Sequence, residues 1–173
     1  MQSLFLFLSK WRNLLLLFCL FLLANFLLSI YMPKEHALDL KFAYSVDEAY
    51  DALNQLSSEE QGRYKNGILA IDMPYLLVYG LLFSGILLKI WKREWPVLIP
   101  VTIMVMDFFE NLMVILILNQ LPNQSTTLAS LASIFSTGKW TTIGILAGAI
   151  IFGLVRMLFL RIFSNSITEE IKI

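Results

Sequence analysis

Four long apolar stretches separated by short polar segments dominate the chain. A helix needs about 20 apolar residues to cross a hydrocarbon core about 30 Å thick, because each residue adds about 1.5 Å. The pattern therefore predicts an all-α polytopic membrane protein, a four-transmembrane-helix bundle in a single domain. The predicted spans cover residues 14–32, 68–90, 97–118 and 136–160.

Composition supports this class, since 58% of the 173 residues are hydrophobic and 15% are charged. Soluble domains are about half apolar and about a quarter charged. The 13 basic and 13 acidic residues cancel, so no overall basic character favours nucleic acid as a partner. The first stretch is longer than the about 7–15 apolar residues of a signal peptide, and no small-residue cleavage site follows it. We interpret it as a retained span.

Positive charge predicts the orientation, because cytoplasmic segments of membrane proteins are enriched in Lys and Arg. Basic residues follow or precede the spans on one side of the predicted bundle: Lys10, Arg12, Lys89, Lys92, Arg93, Arg156, Arg161 and Lys172. On the opposite side, seven acidic residues dilute the basic ones of the first connector (residues 33–67). Both termini are therefore predicted to be cytoplasmic. A bacterial cytoplasmic membrane is the default location, because the C-terminus carries no organelle retention signal.

The first connector is long enough to form a short external helical loop. Ser45 and Glu48 have the spacing of a capping box, which begins a helix. Apolar residues then recur at helical spacing on one face: Val46, Ala49, Tyr50, Leu53 and Leu56. Two interpretations stay open for this helix, a lid that lies on the bundle or a helix that binds a partner.

Two further local signals flank the second and fourth spans. Ser57 and Glu60 repeat the capping-box spacing, and Asn66-Gly67 is typical of a turn before the second span. Small hydroxyl residues recur between residues 125 and 137, which predicts either an outward extension of the fourth helix or an earlier start of its span.

Ionisable residues within the spans need an explanation, because a charge in hydrocarbon costs several kcal/mol unless it is paired or hydrated. Counted from the basic end at about 1.5 Å per residue, Asp72 and Lys139 lie at about 25 Å, Glu110 at about 21 Å and Asp107 at about 16 Å. Asn25 and Tyr75 lie at about 20 Å on the same scale. Residues from all four helices are thus predicted to meet in one polar layer in the outer half of the bilayer.

Spacing along the helices supports this common layer. Asp107, Glu110 and Asn111 stand at i, i+3 and i+4, which places them on one face of the third span. The second span shows a comparable series: Asp72, Tyr75 and Tyr79.

The fourth span contains Gly144 and Gly148, a G-x-x-x-G pattern that allows close approach of a second helix. These glycines are candidate helix-packing residues, either within the bundle or in a homo-oligomer.

Two hypotheses account for the polar layer. In the structural one, Lys139 neutralises Glu110 or Asp72, and the other residues hydrogen-bond between helices. In the functional one, three carboxylates share one lysine, so at least one carboxylate takes a proton or binds a cation. Such a group is what proton transfer, amine binding or acid catalysis requires.

No metal site or cofactor is predicted, and no catalytic set can be assembled. His36 is the single histidine, and no H-E-x-x-H spacing occurs. No Ser-His-Asp or Cys-His combination is evident, so the sequence favours a protein without catalytic activity.

The chain resembles a family of small four-span membrane proteins that has no established activity. The resemblance covers about residues 57–142, and it rests on Gly62-Arg63, Asp72, Tyr79-Gly80, the Asp107-Phe108-Phe109-Glu110-Asn111 run and Lys139-Trp140. It implies a membrane fold and a grouping, without a mechanism.

In architecture the chain is also similar to the EXPERA group, which includes sterol isomerases and the sigma-2 receptor. That similarity implies four spans, a structured first external loop and acidic residues in an intramembrane pocket.

Three functions therefore remain open. The leading one is an accessory or binding protein in the lipid bilayer, with a protein partner or a second copy of itself. The second is an EXPERA-like lipid or sterol binder or isomerase that takes a small amphiphilic ligand at its intramembrane carboxylates. The third is a component of proton- or sodium-coupled transport.

Overall fold

A computed structural model describes residues 7–8, 10–33 and 35–170, with side chains up to Arg161. All regular structure in this part of the chain is helical, which confirms the predicted class. Four helices are long and apolar enough to cross a membrane, which identifies an integral membrane protein: Trp11–Tyr31, Ser58–Trp91, Trp95–Gln120 and Thr126–Arg161. Lys34 and Lys172, which bear on the predicted orientation, lie outside the described residues.

The helices follow one another with short connections. In chain order they are α1 (Trp11–Tyr31), a 3-10 turn (Leu38–Leu40), α2 (Val46–Asn54), α3 (Ser58–Gly67), a π-helical turn (Ile68–Asp72), α4 (Met73–Trp91), a 3-10 turn (Trp95–Val97), α5 (Leu98–Gln120) and α6 (Thr126–Glu170).

Two of the four long helices exceed the thickness of the membrane. The stretch Ser58–Trp91 has 34 residues and Thr126–Arg161 has 36, so they measure about 51 Å and about 54 Å at 1.5 Å per residue. The predicted turn at Asn66-Gly67 is wrong, because Gly67 has helical backbone angles (φ −61°, ψ −45°) and α3 continues through the π turn into α4. The fourth helix begins at Thr126, before the predicted span.

Both predicted capping boxes of the first connector are present. The Ser45 hydroxyl accepts a hydrogen bond from the Glu48 amide at 3.2 Å, and the Glu48 carboxylate accepts one from the Ser45 amide at 2.7 Å. Ser57 and Glu60 make the equivalent pair at the start of α3. The apolar face of α2 is buried beneath these polar ends.

The described core has two larger parts and a smaller one between α1 and α4. One lies under the first connector, where α2 and α3 pack on the adjoining ends of α5 and α6. The other lies between α4, α5 and α6 deeper in the bundle. The helices α5 and α6 form an antiparallel pair, with the rings of Phe109 and Phe135 stacked at 5.3 Å. The first helix, α1, packs chiefly on α4 and leaves most of its apolar surface exposed.

The glycines of the G-x-x-x-G pattern pack on no described part of this chain. A Cβ atom at Gly144 or Gly148 would meet no described atom within 4 Å. Close approach at these positions therefore does not occur between the described helices of one chain. Their use between two chains stays a prediction.

The capping box of α2 makes a testable pH dependence. Hydrogen bonds from the Ser45 backbone and hydroxyl lower the pKa of Glu48 below its ordinary value of 4.5. The contribution of the ionised Glu48 carboxylate to the stability of the folded protein should therefore be complete above about pH 4.5. It should be lost as the pH falls through the lowered pKa of Glu48. We expect Glu48→Gln to be less stable than the wild type at pH 7, with a difference that vanishes in acid. Thermal unfolding of the two proteins between pH 7 and pH 3 measures this, and a constant difference would contradict it.

Candidate functional site

Lys139 of α6 is the centre of a buried polar cluster. Its ammonium lies 2.7 Å from Glu110 Oε2 and 3.1 Å from Asp107 Oδ1, both on α5. It also donates a hydrogen bond of 3.0 Å to the backbone carbonyl of Asp39 in the first connector. Glu110 is completely buried, and Asp107 and Lys139 are each 6% exposed. The spacing of Asp107 and Glu110, one helical turn apart, lets both reach the same lysine.

The cluster extends from Asp107 towards α1. The Tyr79 hydroxyl of α4 donates to Asp107 Oδ2 at 2.9 Å, and the Tyr79 and Tyr75 rings meet edge to face at 5.1 Å. The Asn25 side-chain amide of α1 donates to the Tyr75 hydroxyl at 2.7 Å. Polar side chains from all four long helices therefore form one connected chain, as the depth count predicts.

Asp72 is held apart from the lysine. Asn111 donates to Asp72 Oδ2 at 2.7 Å, and both residues are buried. Of the two partners predicted for Lys139, Glu110 is observed, and Asp107 rather than Asp72 is the second one. The physical reason is that Asp72 meets α5 at Asn111, one helix position beyond Glu110, while Lys139 meets α5 at Asp107 and Glu110.

The first connector also contacts the Lys139 cluster. The Asp39 carbonyl accepts from Lys139 and also from the Trp140 indole N–H at 3.3 Å. The Asp39 carboxylate accepts from the Tyr64 hydroxyl at 2.6 Å, and the same hydroxyl accepts from the Leu38 amide at 2.9 Å. Tyr64 is completely buried. Its hydroxyl links α3 to the 3-10 turn, whose Asp39 carbonyl contacts Lys139.

A short extended segment, the strap (residues 41–44), follows along α6. The Ser136 hydroxyl donates to the Lys41 carbonyl at 2.5 Å, and the Thr137 hydroxyl donates to the Phe42 carbonyl at 3.2 Å. The Tyr44 amide in turn donates to the Ser133 hydroxyl at 3.1 Å. These side chains satisfy backbone groups that no helix or sheet pairs, and this fixes the strap on the bundle.

The charges within the cluster do not cancel. Three buried carboxylates, those of Asp72, Asp107 and Glu110, stand against the single ammonium of Lys139. Among the described residues, Glu110 Oε1, Asn111 Oδ1 and the Tyr44 hydroxyl have no hydrogen-bond partner. Burial raises the pKa of Tyr44 above its ordinary value, and the nearby Glu110 and Asp39 raise it further. The phenol therefore stays protonated and remains a hydrogen-bond donor near the acidic residues.

An apolar groove runs along α4 and α5 beside the cluster. It has a volume of about 420 Å³ and is lined by side chains that include Met73, Leu76, Met104 and Phe108. No ionisable side chain lines it. Met73 and Phe108, the sequence neighbours of Asp72 and Asp107, thus line the groove, whereas the two carboxylates do not.

The sequence anticipated the membrane residues of this site better than those of the connector. Five of the seven predicted polar-layer residues belong to the connected chain described above, and the other two, Asp72 and Asn111, form a hydrogen-bonded pair of their own. The sequence did not single out the Asp39 carbonyl, Tyr64 or Tyr44, because a backbone carbonyl carries no residue-type signal and a tyrosine in a connector between spans has many ordinary roles. The one available signal is the series Ser133, Ser136 and Thr137, whose hydroxyls share one face of α6.

Comparison with known proteins identifies no relative: no protein-family model, curated protein or solved structure matches the chain.

Proposed function

We propose that this protein is a non-catalytic accessory protein of the membrane, which holds the folded first connector at one surface for a protein partner. The proposal rests on the burial and pairing of the charged groups in the Lys139 cluster. Its ammonium is shared by Asp107, Glu110 and the Asp39 carbonyl, and the side chains of Lys139, Asp107 and Glu110 are at most 6% exposed. Groups that are paired and closed in this way stabilise a structure and are poorly placed to meet a substrate.

The chemistry of the first connector favours a partner with a basic surface. Residues 33–67 contain seven acidic and four Lys or Arg residues, so their formal charge is −3. Asp47 and Asp51 are exposed on α2, opposite its buried face. Complementary charge steers association and suppresses wrong partners.

Native mass spectrometry of the protein extracted gently from its own membrane tests the proposal. We expect a stoichiometric protein partner, and we expect the Asp47→Asn/Asp51→Asn variant to lose most of it. Glu94→Gln, which removes one exposed carboxylate at the other end of α4, is the control and should keep the partner. A retained small amphiphile without any protein partner would overturn the proposal.

A second measurement tests whether Glu110 supports the assembly of the protein or takes part in a reaction. Under the proposal, Glu110→Gln weakens the contact with Lys139 and lowers stability by about 1–3 kcal/mol. It should also reduce the amount of folded complex. A variant that folds normally but loses a chemical activity would contradict the accessory function.

Proton- or sodium-coupled transport is a second candidate, and the excess of carboxylates favours it. A buried carboxylate without a cation is costly, so a proton or a bound cation would stabilise the cluster. Proton flux in liposomes containing the purified protein tests this candidate. Flux that is unchanged by Asp107→Asn would exclude it.

The surplus charge can be assigned by comparing two isosteric variants. Asp72→Asn keeps an oxygen that accepts from Asn111 and removes a carboxylate that has no lysine partner, so stability should be unchanged or higher. Asp107→Asn removes an ion-pair partner of Lys139, and we expect it to cost about 1–3 kcal/mol. Thermal unfolding in lipid nanodiscs measures both, and equal losses would contradict the assignment.

The lipid isomerase or sterol-binding alternative requires a pocket in which ligand and carboxylate meet. The groove along α4 and α5 is apolar, and the three carboxylates are closed off from it. No observation on the described residues favours this alternative over the accessory function.

A further inference from the structure

A second groove lies at the opposite end of the bundle from the Lys139 cluster. It has a volume of about 490 Å³ and lies between the end of α4 and the later part of α6. Four cationic side chains line it: Lys92, Arg93, Arg156 and Arg161. The carboxylate nearest in sequence, Glu94, is exposed and does not line the groove.

Trp91 gives this groove a fixed wall. Its indole N–H donates to the Ala149 carbonyl at 3.3 Å, and its ring stacks on Phe152 at 6.0 Å. The Arg156 guanidinium lies 6.0 Å from the centre of the same ring. At Gly153 a Cβ atom would collide with Ile90 and crowd the Trp91 ring, so glycine allows α6 to approach α4 here.

The cations of the groove are not neutralised within the described chain. The ion pairs of the described residues are Arg63 with Glu59 and Lys139 with Asp107 and Glu110. None of the four groove cations pairs with a described carboxylate. Lys92 has a left-handed backbone (φ 57°) that ends α4 and turns the chain towards Arg93. The arrangement concentrates positive charge in a concave surface, which attracts an anion.

The position and lining of the groove indicate which anion. Lys92 and Arg93 directly follow the apolar residues of α4. Arg161 ends the apolar part of α6, and Arg156 lies five residues before it. These are the levels at which the phosphates of a bilayer lie. The groove continues along Ile90, Met157 and Leu160, which can contact an acyl chain but offer nothing to a free anion.

We propose that this groove is a binding site for an anionic phospholipid. Its phosphate contacts Arg93 and Arg156, and its acyl chain lies against the apolar wall. The groups involved are remote from the Lys139 cluster, so the site is independent of the function proposed above. Guanidinium groups suit this role because they bind phosphate oxygens in bidentate geometry.

Native mass spectrometry of the full chain in neutral detergent tests the site. Phosphatidylglycerol and phosphatidylcholine with identical acyl chains are titrated separately, and inorganic phosphate is titrated as a third probe. We expect phosphatidylglycerol to be retained in preference to phosphatidylcholine, and retention to fall between 0.05 and 0.5 M NaCl. Equal retention of the two lipids would overturn the proposal. Displacement of phosphatidylglycerol by millimolar inorganic phosphate would assign the groove to free phosphate and overturn the lipid site.

Variants localise the binding. Arg93→Gln/Arg156→Gln should weaken phosphatidylglycerol retention about 25-fold, since each basic residue near a membrane contributes about 1 kcal/mol, or about fivefold. Lys41→Gln/Arg63→Gln, which removes two cations at the other end of the bundle, should leave retention unchanged. Arg93→Lys/Arg156→Lys keeps the charge but loses the bidentate geometry, so its retention of phosphatidylglycerol should lie between that of the wild type and that of the glutamine variant. Full retention in the glutamine variant would contradict the site. If that variant does not fold, the single variant Arg93→Gln replaces it, with an expected loss of about fivefold.

Discussion

Lys139→Met should destabilise the protein by about 3–5 kcal/mol, the largest effect that we expect from any single substitution. The change preserves an unbranched side chain of similar length but removes the ammonium. Asp107 and Glu110 would then lie buried without a cation, and the Asp39 carbonyl would lose its donor. Thermal or chemical unfolding in lipid nanodiscs measures the loss. Lys65→Met is the matched control, because Lys65 donates to Asn119 at an exposed site and should cost less than about 1 kcal/mol.

A compensated variant separates charge from packing in this result. The cost of removing one member of a buried ion pair comes chiefly from the charges left behind. Asp107→Asn and Glu110→Gln combined with Lys139→Met should therefore recover a substantial part of the lost stability. If the triple variant is as unstable as Lys139→Met alone, packing of the lysine stem rather than charge determines the effect. The structural account of the cluster would then be wrong.

Leu53→Ala should cost about 2–5 kcal/mol and should loosen the first connector. Leu53 is completely buried in the core under α2, so its truncation removes apolar contacts and leaves a cavity. Leu40→Ala is the control with the same chemical change, because Leu40 is 54% exposed. Hydrogen exchange should accelerate across α2 and α3 in the Leu53 variant and should change little in the deeper part of α5. Uniform acceleration over the whole chain would show that connector and bundle unfold as one unit.

These two variants distinguish two ways of holding the connector. Lys139 acts through charge and through one carbonyl of the 3-10 turn, whereas Leu53 acts through apolar burial under α2. Distant, independent contributions to stability add, and neighbouring ones do not. We expect the Lys139→Met and Leu53→Ala effects to be less than additive, because once the connector has detached, its second contact no longer contributes.

Much of the architecture is readable from local pattern. The length and apolarity of the four stretches require helices, because backbone groups in hydrocarbon must pair within their own segment. The Ser45 and Ser57 capping boxes are equally local signals, and both form. The predicted turn at Asn66-Gly67 is wrong because its local signal is weaker than the contacts of the folded chain. A glycine permits a turn without requiring one, and burial of Tyr64 and Ile68 on either side stabilises a continuous helix.

The membrane class, the number of long helices and the need for their polar residues to meet all follow from the order of residues along the chain. An isolated charge in a span is too costly to leave unpaired, so the similar depths predicted a contact of Lys139 with Glu110 or Asp72, and of these two the contact with Glu110 is observed. The tertiary structure sets which carboxylates pair with the lysine, and it places the Asp39 carbonyl and the strap against the cluster. It also brought Arg93 and Arg156 together in one groove. Such choices depend on helix rotation and on where a connector returns to the bundle, and side-chain spacing along a single helix contains neither.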